Sequence, residues 1–390
     1  MSEHPALAIT PEISDLLAQH VPVAFGVSGG KDSSAVALAT SMYLDETGHR
    51  GPRLLVHSDL GRIEWQASLP LCQRLADRLG LELLVVRRAA GELLERWHVR
   101  WQHNVERYRQ LACVKLILPW STASMRFCTS ELKTALICRA LVERFPGQTS
   151  LSVSGIRREE SAQRRHAPVT QAQPRLTSAT HLTRGYDWHP LVDWTREEVL
   201  ASHQAAQFPL HDAYTVYGSS RVSCAFCILG SRADLMASAT CADHQGIYRE
   251  LVELEIASTF SFQDCQWLGD IAPHLLEDGM RIRLQDAKRR AIQREAAEAL
   301  IPRQLWYTRG WPTARPTRGE ANLLADVRWL VAEIMGFAVE YTEPDAVLER
   351  YRHLMEMSAC RQNTSILRED TCRPGRKQPD EHTVSSLSDS

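Results

Sequence analysis

A short glycine-rich motif, Ser-Gly-Gly-Lys-Asp-Ser at residues 28–33, brings together the groups needed to hold a phosphate. Its glycines let the backbone approach an anion, its lysine adds a positive charge, and its serines add hydroxyl donors. An apolar run at Val23–Val27 precedes the motif, and a helical pattern over residues 34–39 follows it. Because the free N–H groups at the start of a helix point at an anion, we predict a phosphate-binding loop. A turn that binds no ligand is the alternative.

The motif differs from the P-loop of kinases and GTPases, because its lysine directly follows a Gly-Gly pair and an aspartate follows the lysine. It resembles the pyrophosphate loop (PP-loop) of the ATP pyrophosphatases, in the adenine-nucleotide α-hydrolase group. Those enzymes cleave ATP between the α- and β-phosphates, commonly through an adenylylated intermediate. The resemblance implies ATP and Mg²⁺ as ligands of this loop.

A second group of anion-binding candidates lies in residues 154–164, Ser-Gly-Ile-Arg-Arg-Glu-Glu-Ser-Ala-Gln-Arg, directly after a strand-like run. Arg157 and Arg164 are seven positions apart, so a helix here would place both on one face. Guanidinium groups suit a bidentate grip on phosphate or sulfate. The alternative is a solvated turn in which Glu159 and Glu160 pair with these arginines.

Four cysteines form a third group of chemistry-bearing residues. Cys224 and Cys227 make a C-x-x-C motif, while Cys128 lies far upstream and Cys241 lies shortly after the motif. Thiolates suit an iron–sulfur cluster or a structural zinc ion. Unligated core thiols are the remaining alternative.

Four segments follow the loop in order: residues 126–133, 154–164, 189–199 and 217–227. In this order behind the loop, they resemble the phosphoadenylyl-sulfate (PAPS) reductase family over about residues 20–235. That family includes PAPS and APS reductases, the small subunit of bacterial ATP sulfurylase and the sulfur-transfer proteins of DNA phosphorothioation. Some members carry a [4Fe–4S] cluster, but the paired Cys-Cys of the cluster-containing reductases is missing around Cys128.

The cysteines near the C-terminus distinguish the branches of this family. The reductases carry a catalytic cysteine in a Glu-Cys-Gly context, whereas Cys360 follows Ser-Ala and Cys372 follows Asp-Thr. A complete phosphate loop without that motif favours an ATP-dependent adenylyl-transfer enzyme acting in sulfur activation or transfer. A thiol-dependent PAPS or APS reductase is the first alternative, and a non-catalytic nucleotide-binding subunit is the second. The acceptor stays open among sulfate, a tRNA base and a DNA phosphate.

The elements that position these residues alternate between strand and helix. Residues 53–58 form a second apolar run that ends at Asp59, residues 64–79 read as a helix closed by Gly80, and residues 81–87 read as a third strand. This order predicts an α/β fold with a doubly wound parallel sheet, whose ligands bind beyond the carboxyl ends of the strands. Asp59 would lie there, either contacting ribose or Mg²⁺ or serving only as a turn residue.

The last third of the chain reads as helical, with apolar helical spacing over residues 247–256, 280–300 and 322–335. Residues 96–109 and 303–318 combine four arginines each with aromatic residues, and residues 281–294 hold six cations against a single aspartate. Such surfaces suit a nucleic-acid backbone and its bases, but solvated faces over core aromatics are the favoured interpretation. From residue 373 onward the polar composition predicts a disordered tail.

Composition is consistent with a cytoplasmic enzyme. A chain of 390 residues with 44% hydrophobic residues can bury a large core, and a net charge of −2 gives no overall attraction to polyanions. No apolar run reaches membrane-spanning length, and the N-terminal residues lack a signal-peptide pattern. We expect an adenine nucleotide as partner, with a sulfur donor or a partner protein beside it. The predicted domains are a lead-in at 1–20, a PP-loop nucleotide-binding domain at 21–235, a helical region at 236–372 and a tail at 373–390.

Together these patterns and the resemblance predict three sets of site residues. The catalytic candidates are Lys31, Asp32 and Arg157. The nucleotide-binding candidates are Ser28, Gly29, Gly30, Lys31, Asp32, Ser33, Asp59, Gly155, Arg157 and Arg164. The metal-ligand candidates are Cys128, Cys224, Cys227 and Cys241.

Overall fold

The computed structural model describes residues 5–370, and the side chains of residues 5–361. Its sheet has six strands in the order β3-β2-β1-β4-β6-β5. All neighbouring pairs are parallel except β5 and β6, which form an antiparallel edge. The strands are β1 (Val23–Val27), β2 (Arg53–Asp59), β3 (Glu82–Arg87), β4 (Thr149–Val153), β5 (Thr170–Ala172) and β6 (Arg184–Trp188). The predicted α/β fold with a largely parallel sheet is confirmed.

The helices of the described residues follow the strands and continue through the last third of the chain. They are α1 (Pro11–Ala18), α2 (Lys31–Glu46), α3 (Ser68–Leu79), α4 (Leu93–Arg109), α5 (Phe127–Thr129), α6 (Ala135–Arg144), α7 (Arg196–Ala205), α8 (Asp212–Thr215), α9 (Arg232–Thr240), α10 (Gln245–Ser258), α11 (Asp278–Ala299), α12 (Arg318–Met335) and α13 (Pro344–Asp370). A π-helical turn, Ser130–Thr134, joins α5 to α6. No helix in this part of the chain is long and apolar enough to cross a membrane.

The central strands β1 and β2 bury side chains on both faces of the sheet, whereas the edge strand β3 is partly exposed. Val23, Phe25 and Val27 of β1 pack into one core cluster, which also contains residues of α2 and α3. The intervening Ala24 packs into a second cluster that includes residues of β2 and α6. Because successive side chains of a strand point to opposite faces, helices cover the sheet on both sides.

The helix predicted over residues 64–79 begins four residues later than expected, at Ser68. Pro70 explains the difference, because a helix starting at Glu64 would place this proline in its interior, where it lacks an N–H donor and clashes with the preceding turn. The backbone of Glu64 instead forms an isolated bridge with Cys224. Gly80 ends α3 in the left-handed conformation, with a φ of 62°, as predicted.

The chain divides into two compact units. Unit 1 contains residues 1–102 and 117–291, and unit 2 contains residues 103–116 and 292–390. The sheet and the phosphate loop belong to unit 1, whereas α12 and α13 belong to unit 2. The domain boundaries predicted at residues 20, 235 and 372 stay predictions. The predicted tail at 373–390, like Cys372, lies outside the described residues.

Candidate functional site

The glycine-rich motif lies at the carboxyl end of β1 and leads directly into α2. Gly29 has a φ of 73°, and a Cβ atom at this position would lie 3.1 Å from the Ser68 backbone and 3.2 Å from the His211 ring. The positive φ therefore favours glycine, and the space for any side chain is tight. Gly30, the N-cap residue of α2, has no side chain to cap the first-turn amides, and the first of these, the Lys31 N–H, donates to the Tyr214 hydroxyl instead. This loop has the local geometry of an anion site.

The two serines of the motif hold the loop closed on itself. The Ser28 N–H donates to Ser33 Oγ at 3.2 Å, and Ser33 Oγ donates to the Gly30 carbonyl at 2.9 Å. Their hydroxyl oxygens lie 3.4 Å apart. Ser33 therefore shapes the turn, and Ser28 places its hydroxyl beside the same turn.

Three charged side chains are hydrogen-bonded in a row at the start of α2. Lys31 Nζ donates to one carboxylate oxygen of Asp32 at 2.5 Å, and Arg157 Nε donates to the other at 2.7 Å. Arg157 is 4% exposed, and burial works to lower its pKa, but the charge of Asp32 raises the pKa overall. The structure thus brings the three catalytic candidates together, with Asp32 between two cations.

A helix that would place Arg157 and Arg164 on one face is not formed, since a short 3₁₀ turn, Arg158–Glu160, is followed by extended backbone at Ser161. Instead, Arg157 Nη1 donates to Glu159 at 2.7 Å, and Arg164 pairs with Glu160. These are the ion pairs that the sequence left open as the alternative to anion binding. Arg164 is half-buried, so its role as a nucleotide ligand stays a prediction.

Gly155, two residues after the end of β4, packs against the backbone of the phosphate loop. A Cβ atom there would lie 2.3 Å from the Asp32 carbonyl oxygen and 2.6 Å from its carbonyl carbon. Real side chains do not reach such distances, so glycine is what allows the chain after β4 to contact the first turn of α2. Gly155 therefore positions the loop by close packing.

Three residues that the sequence did not single out contact the loop, two of them at Lys31 and one at Gly29. Tyr214 Oη accepts the Lys31 N–H at 3.2 Å, and the Lys31 ammonium lies 5.7 Å from the tyrosine ring centre. His203 Nε2 lies 2.8 Å from the Lys31 carbonyl oxygen. His211 Nε2 lies 3.2 Å from Ser68 Oγ, against the back of Gly29. Burial raises the pKa of Tyr214 to about 12, so this hydroxyl stays protonated at neutral pH.

His57 of β2 supports the loop from within the sheet. Its Nδ1 lies 3.1 Å from the carbonyl oxygen of Val27, the residue just before the loop, and its Nε2 lies 3.0 Å from Glu64. Burial lowers the pKa of His57, but hydrogen bonds with Cys72 and Glu64 outweigh it and raise the pKa to about 10. His57 therefore places a buried positive charge beside the Val27 carbonyl, directly before the loop.

Asp59 lies at the carboxyl end of β2, as predicted, beside a cavity of about 580 Å³. Its Oδ1 accepts the Gly61 N–H at 2.7 Å, which is the turn role that the sequence left open. Its Oδ2 lies 3.6 Å from Arg87 Nε. The cavity is lined by His57, Asp59, Gly61, Arg62, Glu64, Trp65, Gln66, Leu69, Asp243, Gly246, Ile247 and Glu250.

Mg²⁺ is usually held by one or two carboxylates together with substrate phosphates. Asp59 fits this requirement better than Asp32, because it lines the cavity and, although its Oδ1 accepts the Gly61 N–H, the nearest cation to its Oδ2 is Arg87 Nε at 3.6 Å. Both oxygens of Asp32 are bound by cations.

The C-x-x-C motif forms a hydrogen-bonded pair of half-buried thiols. A hydrogen bond from Cys224 lowers the pKa of Cys227, and the charge of Arg221 and the Leu229 N–H lower it further. The same pairing raises the pKa of Cys224. Cys227 is therefore the thiolate of the pair, the form that binds metals or attacks electrophiles.

The other two cysteine candidates are placed differently. Cys128 is close enough for its charge to act on Cys224. Cys241 ends α9 and shares a hydrogen bond with Tyr217, which raises the pKa of that tyrosine. Across the residues that the structure describes, no group of three or more Cys, His, Asp or Glu side chains has the spacing to hold a metal ion. This arrangement does not fit a four-cysteine cluster, and metal binding at these residues stays a prediction.

The chain is similar to proteins of one family, both in sequence and in solved structures. The model of the phosphoadenosine phosphosulfate reductase domain matches residues 22–229, which include the loop, Gly155 and the C-x-x-C motif. No curated protein sequence matches the chain.

Two solved structures are similar. A phosphoadenylyl-sulfate (PAPS) reductase from Candida auris, a phosphate complex, has 14% identity and a TM-score of 0.33 over 56% of this chain and 98% of its own. A U34-tRNA thiolase from Methanococcus maripaludis, with its [4Fe–4S] cluster, has 16% identity and a TM-score of 0.34 over 70% of this chain and 75% of its own.

Proposed function

Since this chain belongs to the phosphoadenosine phosphosulfate reductase family, we propose that it is an ATP-dependent adenylyl-transfer enzyme that releases pyrophosphate in sulfur activation or transfer. The observation that carries the proposal is the phosphate loop. Gly29 turns back on Ser68 and His211 in a conformation that only glycine adopts freely, and the N-cap residue Gly30 leaves the first turn of α2 without a cap of its own, so that the Lys31 N–H is held by the Tyr214 hydroxyl. A loop built only to connect a strand to a helix has no need of this combination.

The charges around the loop suit the β- and γ-phosphates of ATP. An incoming phosphate would compete with Asp32 for the Lys31 ammonium group, which lies 2.5 Å from that carboxylate. Arg157 would keep the Asp32 charge compensated when the lysine turns to the ligand. Arg157 is buried behind Asp32, so it acts as a positioning residue for Lys31 in this arrangement.

The remaining groups of the site would orient the nucleotide. Tyr214 Oη occupies the acceptor position of the Lys31 N–H, and a phosphate oxygen would take its place. Asp59 would be the protein ligand of Mg²⁺ at the edge of the cavity. When bound, Mg²⁺ supplies charge neutralisation as the α–β bond breaks.

The test follows AMP and pyrophosphate formed from α-labelled ATP and Mg²⁺ by anaerobically purified protein, with sulfate, tRNA or DNA as acceptor. We expect pyrophosphate release by the wild type and a loss of about 100-fold or more in Lys31→Ala, because a preorganised cation facing the phosphates is removed. Lys288→Ala is the matched control, because it also removes a lysine paired with an aspartate, Asp270.

Each outcome decides between the branches of the family. Release that depends on Lys31 but not on Lys288 supports adenylyl transfer. If no acceptor gives ATP cleavage, the proposal is wrong. A reductase activity lost in Cys360→Ser or Cys372→Ser would then assign the protein to the other branch.

A further inference from the structure

One stretch of unit 2 carries three arginines that form no ion pair with any side chain that the structure describes. Residues 299–319 contain no aspartate or glutamate. Arg303, Arg309 and Arg315 are exposed, and among the described residues none of them has a carboxylate within ion-pair distance. Arg318, at the end of the stretch, pairs with Asp345. Three free guanidinium groups thus follow one another at intervals of six residues.

An exposed tryptophan stands among these cations. Trp306 is 41% exposed, although its indole N–H is anchored to the Ile301 carbonyl at 3.4 Å. The ammonium group of Lys115 lies 4.3 Å from the ring centre, and the guanidinium of Arg303 lies 5.9 Å from it. Trp306 is thus anchored at its N–H and exposes the rest of its ring, which forms an aromatic platform beside two positive charges.

The positive charges of Lys115 and Arg303 repel each other across the Trp306 ring. Burial lowers the pKa of Lys115, and the positive charge of Arg303 lowers it further, against the attraction of Glu298. Glu298 does not neutralise the surface, because it is buried and bound to Arg294 and to the Leu116 N–H. An anion placed between Lys115 and Arg303 would relieve this repulsion.

A second cation–aromatic pair extends the same stretch. The guanidinium of Arg361 lies 5.2 Å from the ring centre of Trp311. Trp311 is held by an isolated bridge to Thr308, which folds the loop between the two tryptophans into a tight turn. The stretch therefore presents two tryptophans, each with a cation beside its ring.

The other two basic stretches lack this combination. In residues 96–109, the side chains of Trp97, Trp101 and Tyr108 are buried and cannot stack on a ligand. In α11, every one of the six cations of residues 281–294 is paired with a carboxylate. Only residues 299–319 combine an exposed aromatic ring with unpaired cations, within the part of the chain whose side chains are described.

We propose that the surface formed by Lys115, Arg303, Trp306, Arg309 and Arg315 binds single-stranded nucleic acid. The guanidinium groups would contact successive phosphates, and Trp306 would stack on an unpaired base. A single strand fits better than a duplex, because its bases are free to stack on a side chain. This proposal goes beyond adenylyl transfer and does not depend on the phosphate loop.

The test measures the fluorescence anisotropy of labelled DNA and RNA strands of about 20 nucleotides with the full chain. We expect Trp306→Ala to weaken binding by about tenfold, as the loss of one stacked base does. Trp329→Ala is the matched control, because Trp329 is 59% exposed in the same unit but lies between the exposed acids Asp326 and Glu333 on α12. It should bind as the wild type does.

A second variant keeps the test valid if Trp306→Ala unfolds. Replacing the exposed Arg303, Arg309 and Arg315 together with alanine removes no core packing, and the slope of log affinity against log salt should fall by about 2. Lys31→Ala should retain full affinity, which separates this proposal from the proposed enzyme activity. Stronger binding of the DNA or the RNA strand would identify the preferred class.

Three results would overturn the proposal. One is a Trp306→Ala affinity equal to that of Trp329→Ala. Another is a salt slope that the triple arginine variant leaves unchanged. The third is binding to anionic phosphatidylserine vesicles that is tighter than to either strand, which would assign the surface to a membrane.

Discussion

At the scale of single residues, His57 sets the charge state behind the phosphate loop. Both of its ring nitrogens face acceptors, the Val27 carbonyl at 3.1 Å and the Glu64 carboxylate at 3.0 Å. Neither acceptor has a hydrogen to donate when Glu64 is ionised, so both nitrogens must carry protons. His57 is therefore an imidazolium, which links the end of β1 to the segment that bridges to Cys224.

This charge predicts a pH dependence of stability. The folded-state pKa of His57 is about 10, above the value of about 6.5 in an unfolded chain. The stabilisation is therefore complete below about pH 6.5 and is lost as the pH rises towards 10. We expect the wild-type free energy of unfolding to fall over this range, and the fall to be smaller in His57→Gln by up to about 1.4 kcal/mol per pH unit.

The measurement is urea unfolding at a series of pH values between 7 and 10, with His49→Gln as control. His49 is also buried, but burial lowers its pKa, so it stays neutral throughout this range. Its replacement should leave the slope of stability against pH unchanged. Equal slopes in wild type and His57→Gln would show that His57 is neutral in the folded protein.

At the scale of elements, the phosphate loop depends on how closely β4 approaches α2. The contact is made by Gly155 against the Asp32 backbone, where a Cβ atom would lie 2.3 Å from the carbonyl oxygen. Asp32 sits between Lys31 and Arg157, so any displacement of its backbone would disturb the whole row of charged side chains. Strand position and site electrostatics are thus coupled through one glycine.

We predict that Gly155→Ala lowers the free energy of unfolding by about 1–3 kcal/mol, because the extra methyl group must push β4 away from α2. Nucleotide affinity, measured by calorimetry with a non-hydrolysable ATP analogue, should fall as well. Gly279→Ala is the control, since a Cβ atom at this helical position meets open space. It should change stability by no more than about 0.5 kcal/mol. Wild-type stability and affinity in Gly155→Ala would contradict the close contact.

Local patterns were enough to predict β1 and the turn into α2, because each depends on neighbours in the sequence, although α2 begins at Lys31, three residues before the predicted helical pattern. The family was predictable from the order of its motifs.

The partners of Lys31 were not predictable, because Tyr214 contacts it across 183 residues and no local pattern encodes such a pairing. Histidines are equally ambiguous in a sequence, since His203 and His211 look like any core histidine until their partners are known. The start of α3 could have been found, because Pro70 rules out a helix beginning at Glu64. The pairing of Asp32 with Arg157 needed the fold, since it joins α2 to the chain after β4.

At the scale of the whole molecule, the two units are interleaved along the chain. Unit 2 takes residues 103–116 from the middle of the sequence of unit 1. Within unit 2, the fully buried guanidinium of Arg328 donates to the carbonyls of Tyr108 at 2.8 Å and Arg109 at 3.0 Å. Tyr307 Oη donates to the Leu111 carbonyl at 2.8 Å. The short segment therefore supplies acceptors that the rest of unit 2 cannot replace.

This interleaving predicts that residues 292–390 do not fold alone. Without residues 103–116, the Arg328 charge would be buried with only the carbonyls of Glu340 and Tyr341 as acceptors, and an incompletely paired buried charge costs about 3–5 kcal/mol. A fusion that joins residues 103–116 to residue 292 through a flexible glycine–serine linker should restore folding. Circular dichroism during heating is the measurement: we expect a cooperative transition for the fusion and none for the fragment. A cooperative transition in the fragment alone would show that residues 292–390 fold without the inserted segment, and that the carbonyls of residues 103–116 are not needed to pair Arg328.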